Sequence, residues 1–312
     1  MYGDIKLFAG SSCPDLAQKI ADYLGIPLSG WDIVQFPNEN LFVKLHGSVR
    51  GQDCYIIQTH TRPVHRNIME MLIAIDCLKR DSAGRVTVVV PYMAYSQSDK
   101  KDQPRVPISA RLLADMIEVA GADRWITIDL HAEQIQGFYK IPGDMLRAMH
   151  ILGDYLIAKE LDAVVVTPDL GYAKRGRNFA AYLDLPLAFV EKRRTPDGKR
   201  EALNLIGDVT GRDVIIVDDL VDTGGSITQA VNLTKEKGAK DVYVAFTHPV
   251  LSPPAVERLA ALPIKEIITT DTIPIPPEKM LPNITVLTVA ELLAEVIQRS
   301  HEGRSVGELF NE

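Results

Sequence analysis

The chain has 312 residues, and its 46% hydrophobic and 24% charged residues are typical of a globular protein. Lys and Arg number 34 against 41 Asp and Glu, and the net charge of −7 argues against a nonspecific nucleic-acid binder, which would carry a basic surplus. Anionic substrates remain compatible with this charge if the basic residues are gathered at one place. At roughly 150 residues per domain, the length predicts two domains.

We expect a cytoplasmic protein without a membrane segment. The first residues include Asp4 and lack the apolar core of a secretory signal. Apolar runs such as 86–90 are too short to cross a bilayer. The three cysteines, Cys13, Cys54 and Cys77, form no CxxC pair and are typical of reduced thiols in the cytosol.

Short β-branched runs alternate with amphipathic segments along the first half. The predicted strands are 5–9, 54–58, 86–90 and 125–128, and the predicted helices are 15–24, 66–80 and 109–120. The helix at 66–80 is apolar around most of its circumference, which indicates an internal or a subunit contact. The expected inner face of the helix at 109–120 consists of Leu112, Leu113, Met116 and Ile117.

The same alternation continues in the second half. The predicted strands are 163–167, 187–190, 214–217 and 242–246, with a helix at 172–183. Continuous apolar strands that alternate with helices predict an α/β protein with parallel sheets covered on both faces. We expect the boundary between the domains near 142–151 and assign 1–147 and 148–312 to them.

The strongest chemical signal follows the strand at 214–217. The segment Asp218-Asp219-Leu-Val-Asp222-Thr223-Gly224-Gly225-Ser226 precedes a predicted helix. Its glycines allow close backbone approach, so that successive N–H groups can cradle a phosphate at the helix N-terminus. Its carboxylates suit vicinal sugar hydroxyls or the water around Mg²⁺. A capped helix without a ligand is the alternative, but three acids plus Thr-Gly-Gly exceed that requirement.

This segment resembles the phosphoribosyl-diphosphate binding motif of the type I phosphoribosyltransferase fold. Other segments are similar to the bacterial-type class I ribose-phosphate pyrophosphokinase family, namely 50–51, 68–72, 91–92, 107–109, 128–131, 134–138, 192–194, 204–209 and 270–274. The resemblance covers nearly the whole chain, in order. It implies two type I phosphoribosyltransferase-like domains, the first on the ATP side and the second on the ribose 5-phosphate side. We expect about the last 20 residues to pack back on the first domain.

The resemblance implies an enzyme that transfers the diphosphoryl group of ATP to the 1-hydroxyl of ribose 5-phosphate. The products would be AMP and 5-phosphoribosyl 1-diphosphate, which serves nucleotide, histidine and tryptophan biosynthesis. Homo-oligomers built from dimers, commonly hexamers, and a Mg²⁺ cofactor are implied as well. No G-x-x-x-x-G-K-[ST] motif occurs, so ATP must be held without a P-loop. A non-catalytic regulatory subunit and a phosphoribosyltransferase remain as alternatives.

By the same resemblance, the expected ATP-binding residues are Phe36, Asn38, Glu39, Asn40, Gln97, Ser98, Asp99, Lys100 and Lys101. The chain departs from the commonest family pattern at Asn40, where Glu is usual, and at Gln97, where Arg is usual. Because a neutral amide does not replace a bidentate guanidinium, we expect altered ATP contacts. For the charges of Lys100, Lys101 and Arg105, a solvated loop is the alternative.

The expected ribose 5-phosphate residues are Asp218, Asp219, Asp222, Thr223, Gly224, Gly225 and Ser226. The family also has a histidine and an acid associated with the metal, which correspond to His131 and Asp169 here. From the residues alone, a lone histidine is more often structural. No second His or Cys lies at zinc spacing, and Mg²⁺ carried in by ATP phosphates fits better than a protein cage.

The basic residues are concentrated at 192–200, where five of nine residues are cationic and Pro-Asp-Gly marks a turn. This pattern predicts a mobile hairpin that closes over phosphates, with an exposed charged hairpin as the alternative. By resemblance, Lys192 and Arg194 are the expected catalytic residues. Cations there would stabilise charge as the diphosphoryl group is transferred.

Overall fold

The computed structural model describes residues 2–194 and 200–310, of which 170, 192–194, 200–203, 308 and 310 are described by their backbone only. The chain divides into two compact units. The first comprises Met1–Arg147, Thr272–Pro274 and Thr288–Glu312, and the second comprises Ala148–Asp271 and Ile275–Leu287. Within the described ranges, no helix has the length and apolar character needed to cross a membrane.

Strands and helices alternate along both units. Up to Arg147 the elements are β1 Ile5–Ala9, α1 Pro14–Leu24, β2 Trp31–Gln35, β3 Leu41–Leu45, β4 Asp53–Ile57, α2 Val64–Arg80, β5 Arg85–Val90, α3 Ser109–Ala120, β6 Arg124–Ile128 and β7 Gly143–Leu146. Beyond it they are α4 Met149–Ile157, β8 Ala163–Thr167, α5 Ala173–Tyr182, β9 Leu187–Arg194, β10 Arg200–Ile206, β11 Asp213–Val221, α6 Gly225–Glu236, β12 Val242–Pro249, α7 Ala255–Ala260, β13 Glu266–Thr270, β14 Ile284–Leu287 and α8 Ala290–Glu302. The predicted α/β alternation is confirmed.

The first unit is built on a parallel sheet in the order β1-β4-β5-β6-β7. Its inner strands β4 and β5 are buried along nearly their whole length, as expected where both faces of a parallel sheet are covered. Strands β2 and β3 form a separate antiparallel hairpin, with Trp31 opposite Leu45. The carboxyl ends of the parallel strands share one edge, where ligands of open α/β sheets bind.

Helix α3 has the predicted bounds, but its predicted inner face is wrong in part. Leu113 and Ile117 are buried, whereas Leu112 is 60% exposed and Met116 is 37% exposed. The buried stripe is Ala110, Leu113, Ala114 and Ile117, spaced i, i+3, i+4 and i+7. Leu112 and Met116 belong to a neighbouring stripe that is also apolar, and hydrophobicity alone does not separate the two.

The second unit contains a sheet in the order β10-β9-β8-β11-β12-β13-β14, parallel except for the pair β9 and β10. Strand β11 continues four residues beyond the predicted end at Val217, because its pairing with β12 extends to Val221 opposite Pro249. Asp218 and Asp219 therefore lie on a strand and not in a loop. Pairing fixes their backbone directions.

Helix α8 belongs to the first unit and packs beside α1. It is held by Asp53 of β4, which is fully buried. Nε and Nη2 of Arg85 donate to the two carboxylate oxygens of Asp53 at 2.7 and 2.6 Å. His301 Nδ1 of α8 lies 2.8 Å from Asp53 Oδ2, and Arg85 Nη2 also donates to the carbonyl oxygen of Ser300 at 3.1 Å. The buried charge is thus paired with groups from the sheet and from α8.

Candidate active site

Three carboxylates gather at the carboxyl edge of the second unit. Strands β8 and β11 are parallel neighbours, so Asp169, just after β8, lies at the same edge as the end of β11. Asp219 is 2% exposed, and its N–H donates to Asp218 Oδ1 at 2.9 Å. Burial raises the pKa of Asp218 well above its ordinary value, and the nearby charges of Asp219 and Asp169 add to this effect. The three acids at this edge therefore disfavour one another's charged form.

This arrangement fits a divalent cation that is shared with a substrate. Arg175 Nη1 lies 4.0 Å from Asp219 Oδ2, the limit of an ion pair. In the ranges 2–194 and 200–310, no group of three or more His, Cys, Asp or Glu side chains is arranged as a complete metal site. Mg²⁺ needs no such group, because it keeps several waters and takes one or two carboxylates plus phosphate oxygens.

The raised pKa of Asp218 predicts that its carboxylate destabilises the ligand-free protein at neutral pH. Because this pKa is higher in the folded than in the unfolded chain, stability falls as pH rises above the ordinary carboxyl pKa. We expect Asp218→Asn to raise the Tm of the ligand-free protein in EDTA at about pH 7, by about 2–4 °C for each ~1 kcal/mol removed. The gain should vanish as pH falls toward about 4. Calorimetry over this pH range measures it.

Asp208→Asn is the control for that measurement. The Thr210 N–H donates to Asp208 Oδ1 at 2.9 Å, and hydrogen bonds from Thr210 lower the pKa of Asp208. Its Asn variant should therefore melt at or below the wild-type Tm. If Asp218→Asn melts no higher than wild type, the charged Asp218 does not destabilise the ligand-free protein, and the prediction is wrong.

The segment after β11 has the geometry of an anion cradle. Gly224 adopts φ 75° and ψ 4°, in the left-handed region, and α6 begins at Gly225. A left-handed residue followed by a helical one turns successive N–H groups toward one point, which is the geometry of a nest for anions. A side chain at 224 would be strained by this φ and would meet Ala255, whose Cα lies 3.5 Å from the position of a Cβ. Thr223 and Ser226 are exposed beside the cradle, and Asp222 is partly buried.

In the first unit, the turn between β2 and β3 presents an aromatic ring. Phe36 N–H donates to the Asn40 carbonyl at 2.8 Å, and Glu39 N–H donates to the Phe36 carbonyl at 2.8 Å. Glu39 has φ 66°, and Asn38 Oδ1 accepts the N–H of Asn40 at 3.2 Å. Phe36 is 46% exposed, with its ring centroid 6.2 Å from that of Phe42. An exposed ring on a tight turn can stack on a nucleobase.

The loop 97–101 is held in place by hydrogen bonds to two of its predicted ligand residues. Ser98 Oγ accepts the N–H of Ser109 at 3.3 Å, at the start of α3. Asp99 is buried, and its carboxylate accepts a hydrogen bond from the side-chain amide of Gln134. Both side chains therefore position the loop. The loop side chains that remain exposed to a ligand are Gln97, Lys100 and Lys101.

The remaining predicted residues lie at strand ends or on a hairpin. His131 is exposed shortly after β6. Lys192 and Arg194 lie on β9, which pairs antiparallel with β10 so that Arg194 faces Arg200 and Lys192 faces Ala202. The backbone therefore forms both arms of a hairpin at the predicted place. The predicted Pro-Asp-Gly tip falls within 195–199, outside the described residues.

Two arginines at the second unit's edge were not predicted from the sequence. Arg175 lies in the first turn of α5 and approaches Asp219. Arg258 of α7 donates from Nη1 to the carbonyl oxygen of Thr223 at 2.9 Å. Arg175 follows Asp169 by six residues, so a search of the adjacent helix for basic residues would have found it. Arg258 is distant in sequence from the motif, and no local pattern marks it.

Comparison with known proteins identifies the family. Residues 5–121 match the N-terminal domain of ribose phosphate pyrophosphokinase, and residues 193–311 match the phosphoribosyl synthetase-associated domain. A curated relative named ribose-phosphate pyrophosphokinase, from Caldanaerobacter subterraneus subsp. tengcongensis, is 47% identical over 98% of this chain and 98% of its own length. Another of the same name, from Bacillus subtilis, is 45% identical over 99% of this chain and 99% of its own length. The crystal structure of phosphoribosylpyrophosphate synthetase from Mycobacterium smegmatis has a TM-score of 0.92 at 43% identity and covers 96% of this chain and 100% of that chain.

Two α/β units, each built on a mainly parallel sheet, and these matches define an enzyme of the transferase class. The chain belongs to the ribose-phosphate pyrophosphokinase family. The predicted family, the α/β fold and the prediction of an enzyme are confirmed. The names of the relatives support neither the regulatory subunit nor the phosphoribosyltransferase.

Proposed function

We propose that the chain transfers the diphosphoryl group of ATP to the 1-hydroxyl of ribose 5-phosphate, giving 5-phosphoribosyl 1-diphosphate and AMP for nucleotide biosynthesis. The observation that carries this proposal is the carboxylate pair Asp218–Asp219 placed directly before the glycine cradle. Carboxylates can bind the vicinal ribose hydroxyls, and a backbone nest can bind the 5-phosphate. A sugar phosphate carries both groups.

In the second unit, each group has a defined part. Asp218 and Asp219 hold the ribose hydroxyls, while the loop from Asp222 to Ser226 holds the 5-phosphate through the hydroxyls of Thr223 and Ser226 and through its backbone N–H groups. Mg²⁺ would neutralise the polyphosphate charge and orient the transferred group. By resemblance, His131 of the first unit and Asp169 of the second unit are the residues expected to be associated with the metal. The orientation of the sugar presents its 1-hydroxyl for in-line attack on the β-phosphorus of ATP, with AMP as the leaving group.

In the first unit, Phe36 is proposed to stack on adenine, and Asn38, Glu39 and Asn40 line the same turn. The exposed Gln97, Lys100 and Lys101 supply polar and cationic contacts, whereas Ser98 and Asp99 act by holding their loop. Lys192 and Arg194, on β9 of the second unit, are proposed to stabilise the charge that develops during transfer. These assignments follow the family pattern at matching positions.

Formation of AMP tests the proposal. The purified chain with Mg²⁺, ATP and ribose 5-phosphate should release AMP, measured by chromatography of the nucleotides. Ribose in place of ribose 5-phosphate should give little AMP, because the cradle then has no phosphate to bind. Absence of AMP with both substrates would refute the proposed function, and the same result would favour the regulatory subunit.

We further propose that the chain forms homo-oligomers through an apolar face on α2 and α3, with a second copy as the occupant. The face consists of Met69, Leu112, Met116 and Val119, which are 50%, 60%, 37% and 87% exposed. The first three line a cavity of about 260 Å³. Contiguous exposed apolar side chains on a protein surface mark interaction sites. Oligomerisation through α2 also agrees with its apolar circumference, and by resemblance the assembly is a hexamer.

Leu112→Glu is expected to weaken this assembly by about 100-fold or more, because it buries a charge at the contact. Sedimentation velocity of wild type and variant over a range of concentrations measures the change. Val286→Glu, which places the same charge at an exposed apolar position of β14, is the control and should assemble as wild type does. Equal sedimentation of Leu112→Glu and wild type would contradict the proposed interface.

The cytoplasmic location expected from the sequence also remains a proposal. Cys13 and Cys54 are buried, Cys77 is partly buried, and all three are free thiols. Free thiols are typical of proteins in a reducing compartment.

A further inference from the structure

Helix α7 supports the anion cradle at two points. Ala255 lies against Gly224, and Arg258 Nη1 donates to the carbonyl oxygen of Thr223 at 2.9 Å. The Arg258 side chain is exposed, so this contact holds in one place a long side chain that would otherwise be free to move in solvent. The contact therefore ties the guanidinium to one particular peptide group of the cradle.

That peptide group also contains the first N–H of the cradle. The 223–224 peptide is trans, so the Thr223 carbonyl and the Gly224 N–H point in opposite directions from one plane. A donor on the carbonyl oxygen consequently fixes the direction of the N–H on the other side. A cationic donor also polarises the peptide, which makes the N–H a stronger hydrogen-bond donor to an anion.

Glycine at 224 makes this restraint necessary. A glycine in the left-handed region has access to a wide range of φ and ψ, so its peptide can rotate when no ligand is bound. The N–H groups that follow are directed by α6, but the 223–224 peptide precedes the helix. The contact from Arg258 orders it before a ligand arrives, and such preorganisation raises affinity.

We propose that Arg258 is a positioning residue, which orients the Gly224 N–H toward the 5-phosphate of ribose 5-phosphate through the Thr223 carbonyl. The assignment rests on the proposed function, since the cradle is taken as the site of the sugar's phosphate. Arg258 acts here through the peptide and makes no contact with the reacting atoms. Its effect should therefore appear in the binding of ribose 5-phosphate and not in the chemical step or in the binding of ATP.

The test compares Arg258→Gln and Arg258→Lys with wild type in steady-state AMP formation. Arg258→Gln should raise the KM for ribose 5-phosphate about tenfold, the loss of one charge-assisted hydrogen bond, with kcat and the KM for ATP within about twofold. Arg258→Lys should recover part of the loss, because an ammonium group can donate to the same carbonyl. Arg212→Gln is the matched control. It removes a partly exposed arginine of the same unit that pairs with Asp162 at 2.6 Å, before β11 begins.

Calorimetric titration with ribose 5-phosphate gives a readout that does not depend on turnover. If the wild type binds ribose 5-phosphate but forms no AMP, the proposed function fails, while weaker binding by Arg258→Gln still supports the role of Arg258. If Arg258→Gln binds the sugar phosphate as wild type does, the assignment is wrong. It is also wrong if the KM values for both substrates rise equally, or if Arg258→Lys is no better than Arg258→Gln.

Discussion

Lys192→Ala is expected to lower kcat by about 10²–10³-fold and to leave both KM values within about threefold. A cation that meets charge developing during diphosphoryl transfer stabilises the transition state more than the bound substrates. Its removal therefore lowers kcat and kcat/KM together. Steady-state rates of AMP formation over a range of both substrates separate kcat from KM.

The backbone supports this role for the basic segment. Lys192 lies on β9, paired through Ala202 with β10, so it is carried by two paired strands. Residues on regular elements are positioned more accurately than residues on free loops. Lys237→Ala is the control, because Lys237 is exposed at the far end of α6 from the cradle. Full turnover by Lys192→Ala would refute the proposed role of the hairpin.

Asp53→Ala is expected to destabilise the first unit by about 3–5 kcal/mol, because it leaves Arg85 partly buried without its carboxylate. Asp53 is fully buried, and its oxygens are bound by Arg85, by the Tyr55 hydroxyl at 3.0 Å and by His301 of α8. The amides of α8 should therefore lose protection first. Hydrogen exchange of α8 in increasing urea measures this loss.

Asp76→Ala is the control for this measurement. Asp76 and Arg80 form an i,i+4 pair on α2 at 2.7 Å, but their side chains are 53% and 78% exposed. Exposed pairs of this kind contribute about 0.3–0.5 kcal/mol. If Asp53→Ala costs no more than Asp76→Ala, the buried cluster does not hold α8 in place.

The sequence predicted what depends on residues close together along the chain. The bounds of α3 follow from its apolar period and from Gly121, which ends the helix in the left-handed conformation. The motif at 218–226 is contiguous, so its chemistry could be recognised without the fold. The end of β11 was missed because acidic residues are typical of loops, and only the pairing with β12 extends the strand over them.

Contacts between distant residues could not be predicted. The hairpin of β2 and β3 was not predicted, although it carries the turn with Phe36. Asp53 has no local feature of a buried charge, and its partner His301 lies 248 residues away. Arg258 meets the Thr223 carbonyl, 35 residues earlier, because α7 returns to the edge where the cradle lies. Such partners are determined by the fold, and the local sequence pattern does not predict them.

The fate of the phosphorus atoms tests the central claim most directly. Phosphorus NMR of wild type with Mg²⁺, ATP and ribose 5-phosphate should show the α-phosphorus of ATP in AMP. The β- and γ-phosphorus should appear joined to each other in a diphosphate on the sugar. Formation of ADP together with a sugar that has gained a single phosphate would contradict diphosphoryl transfer, and with it the proposed attack on the β-phosphorus.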